Sequence, residues 1–343
     1  MSLGEHRPMR LSKTRRQALG TLAACLPAML LWPPLIWSEE TNLENLVRQL
    51  ARQTSLPSSH IRNVLLKARY TPSIIHRIQQ PYESKPYVEY RQLFLTESMR
   101  RQGQAFLLKH AEVLQQQWNI YHVEKEIITA ILGMESRFGR NTGRDRILDA
   151  LFTLTTGYPR RSEFFREQLG EFLLLCQEEN LDPLAVRGSY AGAFGATQFI
   201  PSSFRAYAVD ADRDGKRNVW DSVPDITASI AHYFRQHNWR QGRPIACWLP
   251  FMPEMSARAN IGIKRFSRLV TLKNYLPSIP TTWSDDDEVA IITLQRSTGP
   301  AMVLVHRNFY VITRWNRSYN YAMAVAEMAS MLGCSHCLGD TQV

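Results

Sequence analysis

Val123-Glu-Lys-Glu-Ile-Ile-Thr-Ala-Ile-Leu-Gly-Met-Glu135-Ser-Arg-Phe138 places apolar residues at Val123, Ile127, Ile131 and Phe138, with Ile128 and Leu132 broadening the stripe. That spacing is the 3.6-residue period of a helix packed against a core. Glu135 takes the next slot of the stripe, and Gly139 is expected to end the helix. A carboxyl held against Ile131, Leu132 and Phe138 loses hydration, which favours its neutral form. An acid still protonated near neutral pH is what cleavage of a glycosidic bond requires. Two other readings compete: a carboxylate at the helix end pointing into water, and a hydrogen-bonded core glutamate. Periodicity alone does not separate the three.

Further along the chain comes Gly188-Ser-Tyr-Ala-Gly-Ala-Phe-Gly-Ala-Thr-Gln198-Phe199-Ile-Pro-Ser-Ser203, which interleaves glycine, aromatics and uncharged polar groups. Glycines let a ligand approach the backbone, and Ser189 and Gln198 can hydrogen-bond hydroxyls or amides without adding charge. A Gly-rich turn between core helices is the plainer alternative. Taken together, GMESRFG at 133–139, YPRR at 158–161 and GSYAGAFGATQFIPSS at 188–203 resemble the lytic murein transglycosylases of the B type, from about Tyr87 to Ala326.

The resemblance implies a mainly α fold with a small β part, built on a lysozyme-like helical core. It implies Glu135 as the single catalytic carboxylate, acting in turn as acid and base. The enzyme would cleave the bond between N-acetylmuramic acid and N-acetylglucosamine in peptidoglycan strands, closing a 1,6-anhydro ring in place of water attack. Carried over by position, Ser189 and Gln198 would contact acetamido groups or hydroxyls. Tyr90, Phe199, Tyr233 and Tyr321 would line the groove, and Arg160 and Arg161 would meet carboxylates or peptide stems. Asn316 matches the family motif, but Trp315 stands where a tyrosine is expected, which puts a hydroxyl-dependent role there in doubt. Two alternatives are retained: a muramidase-type hydrolase using Asp145 or Asp149 as second carboxylate, and a wall-binding protein without catalysis.

Asp210-Ala-Asp212-Arg-Asp214-Gly215-Lys216-Arg-Asn218-Val-Trp-Asp221 follows the EF-hand loop. Oxygen ligands stand at positions 1, 3 and 5, glycine makes the turn at 6, and Lys216 offers its carbonyl at 7. A structural Ca²⁺ is therefore expected. Asp221 at position 12 is a methylene shorter than the usual Glu, and the resemblance points instead to a slightly later carboxylate, Asp225. A helix cap is the other role open to Asp225.

With 343 residues and 44% apolar content, the chain can build sizeable cores. Its net charge of +10 includes +4 from residues 1–37. The remainder is spread out, which suits an anionic partner such as peptidoglycan and does not call for nucleic acid. The basic run ending Lys13-Thr-Arg15-Arg16 leads into an apolar stretch to Trp37 broken by prolines, the layout of a secretory signal or N-terminal anchor. Leu22-Ala-Ala-Cys25 matches a lipoprotein processing box, although apolar sequence continues beyond it. Periplasmic export is expected, with attachment through Cys25 or an uncleaved anchor both open. Cys176 reads as a buried free thiol. Cys334 and Cys337 form a lone C-x-x-C, expected as a local disulfide or free thiols because a zinc site lacks a second half.

The expected organisation is a signal or anchor at 1–37 and a helical region at 38–118. The catalytic core at 119–245 contains the 210–221 loop. A β subdomain follows at 246–316 and a helix with tail at 317–343. Pro72 to Pro86 reads as an irregular connection, and one helix is expected from Ser98 through Trp118. Strands are expected at 289–294, 301–305 and 309–313.

Overall fold

The computed structural model describes residues 36–80, 85–277, 279–280 and 283–339. The chain divides into units at 1–42 and 43–343. Apart from its last two residues, the expected signal or anchor, with Cys25, lies outside the described residues. No helix among those described is long and apolar enough to cross a membrane.

Six helices precede the glutamate: α1 (Ile36–Thr54), α2 (Ser58–Leu65), α3 (Pro72–Ile78), α4 (Tyr87–Gln92), α5 (Glu97–Lys109) and α6 (Ala111–Tyr121). Two expectations need correction here. Pro72 opens α3 rather than preventing it, because proline at the first helical position forfeits only an N–H that has no partner there. The helix expected from Ser98 through Trp118 is two, broken at His110, whose backbone (φ −116°, ψ 28°) leaves the helical region.

Helix α7 (Lys125–Ser136) is buried along nearly its whole length from Ile127, well beyond the stripe read from its spacing. It packs against α5, α6 and two later helices, α11 (Val223–Gln236) and α14 (Tyr319–Met331). A helix that is apolar all round is the centre of a core. It ends at Ser136, before Gly139. Arg137 and Phe138 take left-handed backbone conformations (φ 51° and 60°), and their N–H groups close back on the carbonyls of Gly133 and Leu132. Such a conformation costs roughly 1–2 kcal/mol per non-glycine residue. The Phe138 ring offsets this by packing over Gly133 and stacking on Phe106 at 5.8 Å.

Between α7 and α11 lie a two-residue pair of strands, β1 (Asp145–Arg146) and β2 (Arg187–Gly188), and helices α8 (Ile147–Gly157), α9 (Ser162–Glu178) and α10 (Pro201–Tyr207). After α11 the chain builds an antiparallel sheet in the order β3-β6-β5-β4, from β3 (Ala246–Leu249), β4 (Ser267–Arg268), β5 (Glu288–Arg296) and β6 (Gly299–His306). A short helix α12 (Ser256–Ile261) lies between β3 and β4. Period-two alternation splits the sheet's side chains between two cores. Ala290, Ile292, Val303 and Val305 join the helical core, while Val289, Ile291, Met302 and Leu304 form a second cluster with Leu249 and Trp283. The third strand expected at 309–313 is instead helix α13 (Arg307–Trp315). Its β-branched composition imitates a strand. Asn308 settles the matter by accepting from Arg240 N and donating to the carbonyls of Arg240 and Arg243.

Cys334 and Cys337 form a disulfide with Cα atoms 5.5 Å apart, and Cys176 is a buried free thiol. His336, between the bonded cysteines, lies 3.2 Å from the buried Glu124 at the head of α7. Glu124 also accepts from the Trp239 indole and Gly242 N, each at 2.7 Å. The hydrogen bond to Glu124 holds His336 above its ordinary value, against partial burial. Burial pushes Glu124 up, but the bonds from His336, Gly242 and Trp239 outweigh it and hold it low. The histidine contribution to stability is therefore complete below about pH 6.5 and is lost as pH rises through the raised value; the Glu124 contribution is lost only as acid titrates its lowered value. Melting of the wild type should weaken between about pH 6 and pH 9 by more than that of His336→Gln. Identical slopes for the two would remove this pair from the pH dependence.

Candidate active site

Glu135 stands in the last turn of α7, half-buried. Its Oε1 accepts two hydrogen bonds: from the Trp315 indole N–H at 2.8 Å and from the Tyr321 hydroxyl at 2.6 Å. Trp315 ends α13 and Tyr321 lies in the first turn of α14, so the two helices close on the carboxylate together. Tyr321 is 3% exposed. Burial, and then the neighbouring Glu135 charge, drive its hydroxyl well above the ordinary tyrosine range. It stays a neutral donor. Trp315 is the residue that sequence reasoning undervalued: an indole supplies the donor that a tyrosine hydroxyl was expected to provide. Its signal was the Trp315-Asn316 pair itself.

The rings behind the carboxylate form a packed cluster. Phe199, Tyr233 and Phe234 lie 5.1, 4.7 and 5.8 Å from Trp315, centroid to centroid. Tyr90, Phe199 and Tyr233, expected along the groove, are 2%, 3% and 6% exposed. Rings of that size gain most by leaving water, and Phe199 and Tyr233 are part of the wall that holds Trp315. Burial also raises the Tyr233 hydroxyl.

The glycine-rich stretch is locked against the loop that follows α7. A Cβ on Gly143 would lie 2.1 Å from the Gly188 backbone, and one on Gly188 would lie 2.1 Å from the Ala193 carbonyl oxygen. Both close approaches therefore require glycine. Ser189 Oγ accepts from Ala191 N and Ala193 N, and Gln198 Nε2 donates to the carbonyls of Thr142 and Gly195. Both side chains brace the loop. What they retain for a ligand is the serine hydroxyl hydrogen and the glutamine Oε1.

The two candidate partner carboxylates are both taken. Asp145 receives both Arg77 guanidinium nitrogens at 2.7 and 3.0 Å, and Asp149 receives Arg146 and the Arg69 N–H. Arg160 and Arg161 lie on the exposed turn between α8 and α9. Arg161 stacks over Phe164 and Phe165 at 4.3 and 5.2 Å. Asn316 caps α13 and accepts from Ser318 N.

In the acidic loop, ligand oxygens of Asp210, Asp212 and Asp214 lie within 4.8 Å of one another, and Gly215 makes the turn at φ 89°. Hard oxygen donors at this spacing suit a calcium ion. Asp221 and Asp225, also expected as ligands, fall outside that group. Asp225 is fully buried and accepts from the N–H groups of Ala211, Asp212 and Asn218, while Ser222 caps α11. Burial raises its carboxyl despite those bonds.

Residues 38–330 match the family described as the transglycosylase SLT domain. The chain belongs to that family. The transglycosylase is 33% identical over 306 residues to membrane-bound lytic murein transglycosylase B of Escherichia coli (strain K12), covering 85% of this chain and 82% of that one. Its structure is similar to that of the soluble lytic transglycosylase SltB1 from Pseudomonas aeruginosa, at 38% identity and a TM-score of 0.76, covering 86% and 99% of the two chains. It is also similar to the Escherichia coli lytic transglycosylase Slt35 in complex with calcium, at 32% identity and a TM-score of 0.75, covering 86% and 93%. The mainly helical, lysozyme-like architecture expected from the sequence is the architecture of this transglycosylase.

Proposed function

We propose that the transglycosylase cleaves peptidoglycan between N-acetylmuramic acid and N-acetylglucosamine without water, with Glu135 as its one acid–base group. The observation that carries this is the asymmetry of the site. Glu135 is clamped by two neutral donors, whereas Asp145 and Asp149 are bound by arginines. With Oε1 held by Trp315 and Tyr321, the carboxyl is oriented to carry the transferable proton. That proton passes to the bridging oxygen as the glycosidic bond breaks, and the substrate's N-acetyl group stabilises the developing cation. The carboxylate then takes the proton of the muramoyl C6 hydroxyl as O6 bonds to C1. The proton returns to Glu135 and no water is consumed.

Around this centre, the Ser189 hydroxyl and Gln198 Oε1 are the proposed polar contacts, with Asn316 beside them. Arg160 and Arg161 are proposed to meet carboxylates farther along the strand. A digest of purified murein in oxygen-18 water tests the reading. Anhydromuramoyl ends without label are expected, whereas labelled reducing ends would mean hydrolysis and no release would mean a binding protein.

A structural calcium is part of the same proposal, held by Asp210, Asp212 and Asp214. A ligand that binds only the folded state stabilises it, by about 2.7 kcal/mol at a hundredfold excess over its dissociation constant. Calcium should raise the melting temperature of the wild type, and Asp214→Ala should abolish the increment while leaving much of the activity. A melting temperature indifferent to both calcium and chelator would dismiss the site.

A further inference from the structure

The loop that leaves α7 borders an open recess of about 500 Å³, lined by Arg137, Arg140 and Arg144 with Gln102, Asn141, Thr142 and Gly143. Arg140 Nη1 donates to Gln102 Oε1 at 2.8 Å, and Arg187 reaches the Arg144 carbonyl at 3.1 Å, adding a fourth guanidinium nearby. Of the nearby acids, Asp145 is committed to Arg77, Asp149 to Arg146, and Glu97, on the same helix as Gln102, to Arg100 and Arg101, while Glu135 accepts from Trp315 and Tyr321. Among the described residues, Arg137, Arg140 and Arg144 have no ion-pair partner. Like charges lining one open recess repel, and a bound anion relieves them. Guanidinium groups fork onto carboxylates with charge-assisted bonds.

The recess is also rigidly placed relative to the catalytic carboxylate. Arg137 follows Glu135 by two residues, and its left-handed backbone is fixed by the closure onto Gly133. Asn141 N donates to the Ser136 carbonyl, while Thr142 accepts from Gln198 and Gly143 packs on Gly188. One wall of the loop thus supports the sugar site and the other carries the arginines. An extended peptide of five residues spans up to about 17 Å, ample for a branch that starts on a sugar at Glu135.

We infer that this recess is an anionic subsite, in which Arg137, Arg140 and Arg144 take the carboxylates of the peptide branch on the sugar being cleaved. The inference rests on the proposed peptidoglycan strand at Glu135. Its consequence is selectivity: strands with carboxylate-bearing peptides are preferred over bare glycan and over strands whose peptide carboxylates are amidated.

The test compares the wild type with the triple variant Arg137→Gln, Arg140→Gln, Arg144→Gln on those three strands, scoring anhydromuramoyl ends. On free-carboxylate strands the variant should lose about tenfold or more in kcat/KM, carried by KM, as expected for lost bonds to a charged group. On bare and amidated strands it should match the wild type within about twofold. The wild-type preference should also shrink with added salt. Equal losses on all three strands, or no loss on any, would overturn the subsite. Absence of anhydro ends from the wild type on every strand would instead overturn the activity. Should the triple variant fail to fold, the exposed Arg144→Gln alone gives the same comparison with a smaller expected loss.

Discussion

Glu135→Gln should lose turnover by about 10⁴ or more while keeping its fold. One general acid–base group is typically worth about 10²–10⁴ in rate, and here a single residue serves both proton transfers. Glutamine offers an Oε1 that can still accept from the Trp315 indole and the Tyr321 hydroxyl. The α13–α14 clamp therefore survives, and the melting temperature should move little. Binding to purified murein should persist, since the proposed contacts of Ser189 and Gln198 lie on another segment. A variant retaining more than about a tenth of wild-type turnover would show that Glu135 is not the acid–base group.

Tyr321→Phe and Trp315→Phe should each lower kcat by roughly 10–100-fold, as expected for a hydrogen bond to a charged group worth about 1.5–3 kcal/mol. Both side chains act by holding the Glu135 carboxylate, and a donor on the ionised form favours that form. Removing one should move the alkaline limb of the pH–rate profile to higher pH, because the acid keeps its proton longer. A purely structural role would lower the melting temperature and leave that limb in place. Trp315→Tyr supplies the rescue: a hydroxyl at this position should recover most of what phenylalanine loses. Unchanged pH profiles in both phenylalanine variants would separate the clamp from catalysis. The two donors share one acceptor atom, so their effects should couple rather than add.

Much of this molecule was legible in local spacing. The helix carrying Glu135, the hairpin at 289–305, the closing helix from Tyr319 and the Asp210-x-Asp212-x-Asp214-Gly loop each depend on neighbours a few residues apart. The C-x-x-C pair is likewise a local closure. Helix α13 was misread because a run of β-branched and aromatic residues fits a strand or a helix equally well, and only Asn308 reaching Arg240 and Arg243 favours the helix.

The sequence by itself determined that a carboxylate would stand at the end of a core helix, which segments resemble a transglycosylase, and where three acidic side chains would gather. Tertiary structure alone decided what surrounds that carboxylate. Trp315 and Tyr321 are 180 and 186 residues from Glu135 in sequence, and His336 is 212 from Glu124. It also turned Tyr90, Phe199 and Tyr233 inward, paired Asp145 with Arg77, and left three arginines facing one recess. The physical reason is that periodicity specifies which face of an element is apolar. Which polar group on another element then meets a given side chain depends on how the helices pack, and packing is settled by the whole core at once.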